Sequence, residues 1–129
     1  MSRMRRSEFQ RIVQLALDEL PDVFHDALQN LDVQVRWAPT PLERRHLRLH
    51  PGSDLFGLYT GVSLPNRTHW YGTAGNIPLP DVILIFQRAH ERHCRTEAEL
   101  VEQARQTLLH EIGHYLGIDE TRLRDLGVG

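Results

Sequence analysis

The sequence predicts an α+β fold, and three observations carry that prediction. Apolar residues recur at helical spacing over residues 9–20 and again over 100–112. Strict alternation marks residues 33–37, and Val82-Ile83-Leu84-Ile85-Phe86 is apolar at every position. Amphipathic helices are therefore expected beside one half-buried strand and one strand covered on both faces. At 129 residues with 40% apolar content the chain suits one core, so residues 1–129 read as a single domain with residues 1–6 as a disordered tail.

Composition narrows the function classes. A formal net charge of -2 makes no electrostatic case for a nucleic-acid binder. Cys94 is the one cysteine, which leaves no internal disulfide. The start Met1-Ser2-Arg3-Met4-Arg5-Arg6 is basic, as in a signal peptide, but an amphipathic, charged segment follows instead of a continuous apolar run. No stretch approaches membrane-spanning length. A cytoplasmic protein with neither nucleic-acid nor membrane partner is the expectation.

Ser7 with Gln10 reads as a capping box opening a helix on Phe9, Ile12, Val13, Ala16, Leu17 and Leu20. Pro21 interrupts it and begins a second helical piece carrying Val23, Phe24, Ala27, Leu28 and Leu31, with His25 on the surface. Val33, Val35 and Trp37 form the alternating strand, which Pro39 and Pro41 end. The basic run Arg44, Arg45, His46, Arg48 and His50 invites an RNA-binding reading. A solvated loop or a short strand before the turn at residues 51–54 accounts for it better. Residues 55–62 are strand-like but broken by Gly57 and Gly61, glycines that mark a bulge or close backbone approach, as at an edge strand beside a ligand, or else serve only packing or a bend. Residues 63–80, rich in glycine and proline, read as a functional loop, a mobile one, or a hidden hairpin.

After the interior strand, His90-x-x-His93-Cys94 reads as a polar connection, because no matching pair of ligands stands at a recognisable spacing. Thr96 with Glu99 makes another capping box. Leu100, Val101, Ala104, Leu108 and Ile112 then predict a helix over residues 97–116. Gly113 inside it costs about 1 kcal/mol relative to alanine, which implies a close neighbour.

That helix carries His110-Glu111-Ile112-Gly113-His114. Two histidines four apart lie one turn along the same face, so their imidazoles can share an ion, and Glu111 stands at the offset of a general base on metal-bound water. A straight helix would carry Glu120 roughly 15 Å beyond His110, so the third ligand requires a reversal. Gly117 is placed to make it and to return Asp119 or Glu120. A solvated helix end that happens to carry two histidines is the competing explanation.

Too little chain follows Glu120 for a distant third ligand, and neither a histidine at that position nor a methionine-containing turn is present. The amphipathic first helix, Leu58-Tyr59-Thr60-Gly61-Val62, the strand over residues 81–88 and His110 to Gly117 together resemble the small bacterial zincin-like metallopeptidase family. The resemblance implies a minimal zincin-like fold, in which a small mixed sheet packs against an N-terminal helix and a long active-site helix. It also implies Zn2+ held by His110, His114 and Glu120, with Asp119 as the fallback, and Glu111 as general base on the zinc-bound water. The implied substrate is a peptide or protein in extended form along the edge strand. Tyr115, His69, Tyr71 and Arg88 are chemically suited to steady an oxyanion, though a structural role suits each better. Two alternatives remain. A zinc-dependent endoribonuclease pattern aligns His110, His114, Gly117 and Asp119, but it places glycine at Glu111 and histidine at Glu120. A non-catalytic module stapled by zinc requires four ligands where three are convincing.

Overall fold

Strand β3 (Val82–Phe86) is the middle of the sheet, as its unbroken apolar sequence requires. The computed structural model describes residues 4–61, 81–118 and 120–125, except the side chains of residues 120, 123 and 124. Among the described residues the order is α1 (Arg6–Asp18), α2 (Asp22–Leu28), β1 (Asp32–Arg36), α3 (Pro41–His46), β2 (Gly57–Thr60), β3, α4 (Gln87–His93), α5 (Glu97–Leu116) and α6 (Glu120–Asp125). β3 pairs parallel with β1, Asp32 opposite Val82, and antiparallel with β2, Gly57 opposite Ile85. The sheet is therefore mixed, with strand order β1-β3-β2, and the fold is α+β as expected.

The core lies where α1 and α5 cross β3. Phe9, Ile12 and Ala16 of α1 meet Leu100, Ala104, Leu108 and Ile112 of α5, all fully or almost fully buried, with Ile83 and Ile85 beneath them. Each large side chain withdrawn from water in this way contributes roughly 1.5–3 kcal/mol. The α5 boundaries are those the sequence predicts. The Thr96 hydroxyl accepts from Glu99 N–H at 3.1 Å, although the Glu99 carboxylate takes the Arg95 amide instead of closing the box on Thr96. At the other end Gly117 adopts φ +78°, and Ile118 N–H and Gly117 N–H donate to the carbonyls of Gly113 and His114 at 2.8 and 3.0 Å. This is the Schellman arrangement that stops a helix and turns the chain.

Four expectations change. Helix α1 starts from Arg5, so Ser7 lies inside its first turn and caps nothing. The cause is α4, which fixes the entering chain: Met4 N–H donates to Glu91 and the Met4 carbonyl accepts from Gln87. Residues 4–6 are accordingly held in place, not part of a loose tail. Second, His25 is half-buried, with Nε2 3.2 Å from the Leu17 carbonyl. Third, the basic run is neither loop nor strand over Pro41–His46 but helix α3. Thr40 and Glu43 form a complete capping box with Pro41 in the first turn. Glu43 also receives both Arg36 terminal nitrogens at 2.7 Å, a fork that holds its carboxyl down to about 2 and ties α3 to β1.

Fourth, the expected polar connection is helix α4, and His90 within it is wholly buried. Its Nδ1–H donates to the Phe86 carbonyl at 2.8 Å, its Nε2 lies 3.2 Å from the Thr107 hydroxyl, and the rings of Phe9 and Phe56 flank it. Burial pushes its pKa down to about 4. His93 instead faces Asp54 at 2.9 Å and Cys94 is buried, so the three residues do not converge. No helix among the described residues is long and apolar enough to cross a membrane.

A buried neutral His90 gives stability a definite pH dependence. Its folded pKa lies below the ordinary histidine value of about 6.5, so the unfolded chain binds the extra proton between pH 6.5 and about 4. The contribution is complete above pH 6.5 and is lost on acidification through that window, amounting to about 3 kcal/mol. Denaturant titrations of the wild type and His90→Gln across pH 4–7 should show the steeper loss in the wild type. Parallel pH profiles would remove His90 as the cause.

Candidate functional site

The last two turns of α5 bring His110, Glu111 and His114 together at the end of a helix whose opposite face is sealed in the core. One ligand atom from each lies within 4.8 Å of the others. The two imidazoles stand 4.6 Å apart between centroids and are tilted at 70°. Both histidines are half-buried, whereas Glu111 is only 6% exposed. Two imidazoles beside a carboxylate are the donor set of a borderline-soft divalent ion such as zinc. Among the described residues this is the group with metal-holding geometry.

A carboxylate withdrawn from water needs hydrogen-bond donors. Glu111 Oε1 accepts the backbone N–H of Tyr59 on β2 at 2.8 Å and lies 3.3 Å from His114 Nδ1. The strand can reach it because of the sheet register. Phe86 N–H donates to the Phe56 carbonyl, so the alternation of an antiparallel pair turns the peptide groups of Gly57 and Tyr59 away from β3, toward α5 and the cleft. It can also reach because of Gly57. A Cβ there would lie 2.6 Å from the Thr107 methyl, 3.1 Å from the Leu84 carbonyl and 3.3 Å from Glu111 Cγ. At Gly57 the close approach is that of the protein's own helix α5, so packing accounts for this glycine.

Beside Gly57 and α5 a cleft of about 310 Å³ is lined by Leu55, Phe56, Gly57, Thr107, His110 and Glu111. The site is thus a groove between a sheet edge and a helix. Tyr115, one of the oxyanion candidates, is buried with its ring 5.7 Å from that of Tyr59, whose hydroxyl donates to Asp81 at 2.7 Å. Arg88 lines a different cavity. His69, Tyr71 and Asp119 lie outside the described residues. Glu120 opens α6 directly after the Gly117 reversal, and its side chain is likewise outside them. Tyr59, as the backbone partner of Glu111, and Thr107, as the contact of Gly57, are additions to the residues picked out by motif. A backbone donor leaves no mark in sequence, although Gly57 signalled the close approach.

A family model described as zincin-like metallopeptidase matches residues 28–129. No curated protein matches the chain.

The crowding at Gly57 is testable by rescue. Gly57→Ala should destabilise the protein by about 1–3 kcal/mol, since the neighbouring methyl has to move. Adding Thr107→Ser deletes that methyl and should recover part of the loss in a double-mutant cycle followed by denaturant unfolding. Additive losses would place the strain elsewhere.

Proposed function

The chain belongs to the zincin-like metallopeptidase family, and on that premise we propose that it hydrolyses peptide bonds with zinc held by His110, His114 and Glu120. The observation that supports this most strongly is the convergence of His110, Glu111 and His114 beside β2. Glu111 engages His114 through Nδ1, so His114 would offer Nε2 to the ion. Bound zinc supplies Lewis acidity, polarising a carbonyl and bringing the pKa of water to roughly 7.

This chain's own residues do the rest. Glu111 takes a proton from the attacking water and delivers it to the leaving amine, a role worth about 10²–10⁴ in rate. The Tyr59 amide holds that carboxylate in one orientation, so no reorganisation is needed when the proton moves. The substrate is a peptide in extended form, because the outward peptide groups of Gly57 offer one donor and one acceptor along the cleft wall. Side chains of Leu55 and Phe56 give that wall apolar surface.

Two measurements check this reading. Zinc should raise the melting temperature of the wild type but not of His110→Ala, and a wild type indifferent to zinc would contradict the assignment. Glu111→Gln should retain the zinc-dependent rise while its turnover of a peptide library falls at least about a hundredfold. Full turnover in that variant would remove Glu111 as the base.

A further inference from the structure

The segment that lines the cleft also lines a second cavity. Gly52 and Ser53 border a hollow of about 430 Å³ whose other walls are Pro39, Pro41 and three arginines, Arg44, Arg88 and Arg92. Asp54 to Gly57, next along the chain, belong to the cleft beside His110 and Glu111. The Asp54–Arg92 ion pair, at 3.1 Å, joins the two.

The charge in this hollow is poorly compensated. Arg44 donates to the carbonyls of Ser53 and His50 at 3.0 and 2.9 Å, contacts that aim the guanidinium without neutralising it. Among the described residues no carboxylate pairs with Arg44 or Arg88, and Asp54 is shared between Arg92 and His93. Three guanidiniums therefore meet one carboxylate, in a chain whose formal net charge is -2. The walls are also ordered in advance. Arg88 and Arg92 stand four apart on α4, hence on one face, and two prolines stiffen the opposite side.

We propose that this pocket is an anion site that receives the side-chain carboxylate of an acidic residue in the peptide substrate. The proposal rests on the peptidase reading above. Guanidinium forks match a carboxylate with two parallel hydrogen bonds, and the hollow has room for a glutamate side chain. The connecting segment sets the register. Residues 52–57 span at most about 18 Å, which in an extended peptide places the acidic residue within about five positions of the cleaved bond.

The test uses two fluorescent peptides of equal length, one with a pair of glutamates at that spacing and one with glutamines, titrated against the full chain by anisotropy. The glutamate peptide should bind about tenfold more tightly, and the advantage should shrink between about 0.05 and 0.5 M salt. Arg88→Gln should remove most of the advantage and leave the melting temperature within about a degree, because among the described residues no carboxylate pairs with Arg88. Equal binding of the two peptides by the wild type overturns the proposal. So does tighter binding of a single-stranded RNA of matching length, or displacement of the peptide by micromolar inorganic phosphate. Cleavage separates the two ideas. A glutamate preference in binding without cleavage of either peptide keeps the pocket and removes the peptidase. Cleavage of both peptides with equal KM keeps the peptidase and removes the pocket.

Discussion

Gly57 has no side chain, and α5 uses the space that one would need. With the Thr107 methyl standing 2.6 Å from where a Cβ would be, β2 and the helix are closer than any other residue would allow. That distance lets the Tyr59 N–H reach Glu111 at 2.8 Å. It also solves a problem of burial, since a carboxylate only 6% exposed would be unstable without a donor. The edge of the sheet orients the acid as well as packing against it.

Helix α5 serves the core and the site with different faces. Leu100, Ala104, Leu108 and Ile112 are sealed against α1 and β3, while His110 and His114 on the same helix remain half-buried at the surface. Thr107 links the two roles. Its methyl lies against Gly57, and its hydroxyl lies beside Nε2 of the buried His90, whose Nδ1–H in turn holds the last carbonyl of β3. Among the described residues no buried side-chain nitrogen or oxygen lacks a partner. A site whose positions depend on such a satisfied network is held by packing before any ion arrives.

Much of this was legible in the residues, and the failures have physical causes. Helix α5 and its stop at Gly117 follow from a 3.6-residue apolar period and one glycine, and the interior place of β3 from five consecutive apolar residues. Helix α3 was missed because Pro39 and Pro41 look like strand terminators, although Thr40-Pro41-Leu42-Glu43 is a capping box with proline in the first turn. The stretch around His90 looks like a polar connection in sequence, because burial of a neutral imidazole between a carbonyl and a hydroxyl depends on elements distant along the chain. The hold of Tyr59 on Glu111 spans 52 positions and uses a backbone atom, so no local pattern announces it.

The central claim is that His110 and His114 share a zinc ion next to a base held by the sheet edge. The most direct measurement is anomalous diffraction at the zinc absorption edge from crystals of the zinc-loaded protein. One ion is expected, bonded to a ring nitrogen of His110, to Nε2 of His114 and to a Glu120 oxygen, at about 2.0–2.2 Å each. One coordination position should be free of protein, with Glu111 still on the Tyr59 amide. An ion lodged elsewhere, or one closed by four protein ligands, would contradict the claim.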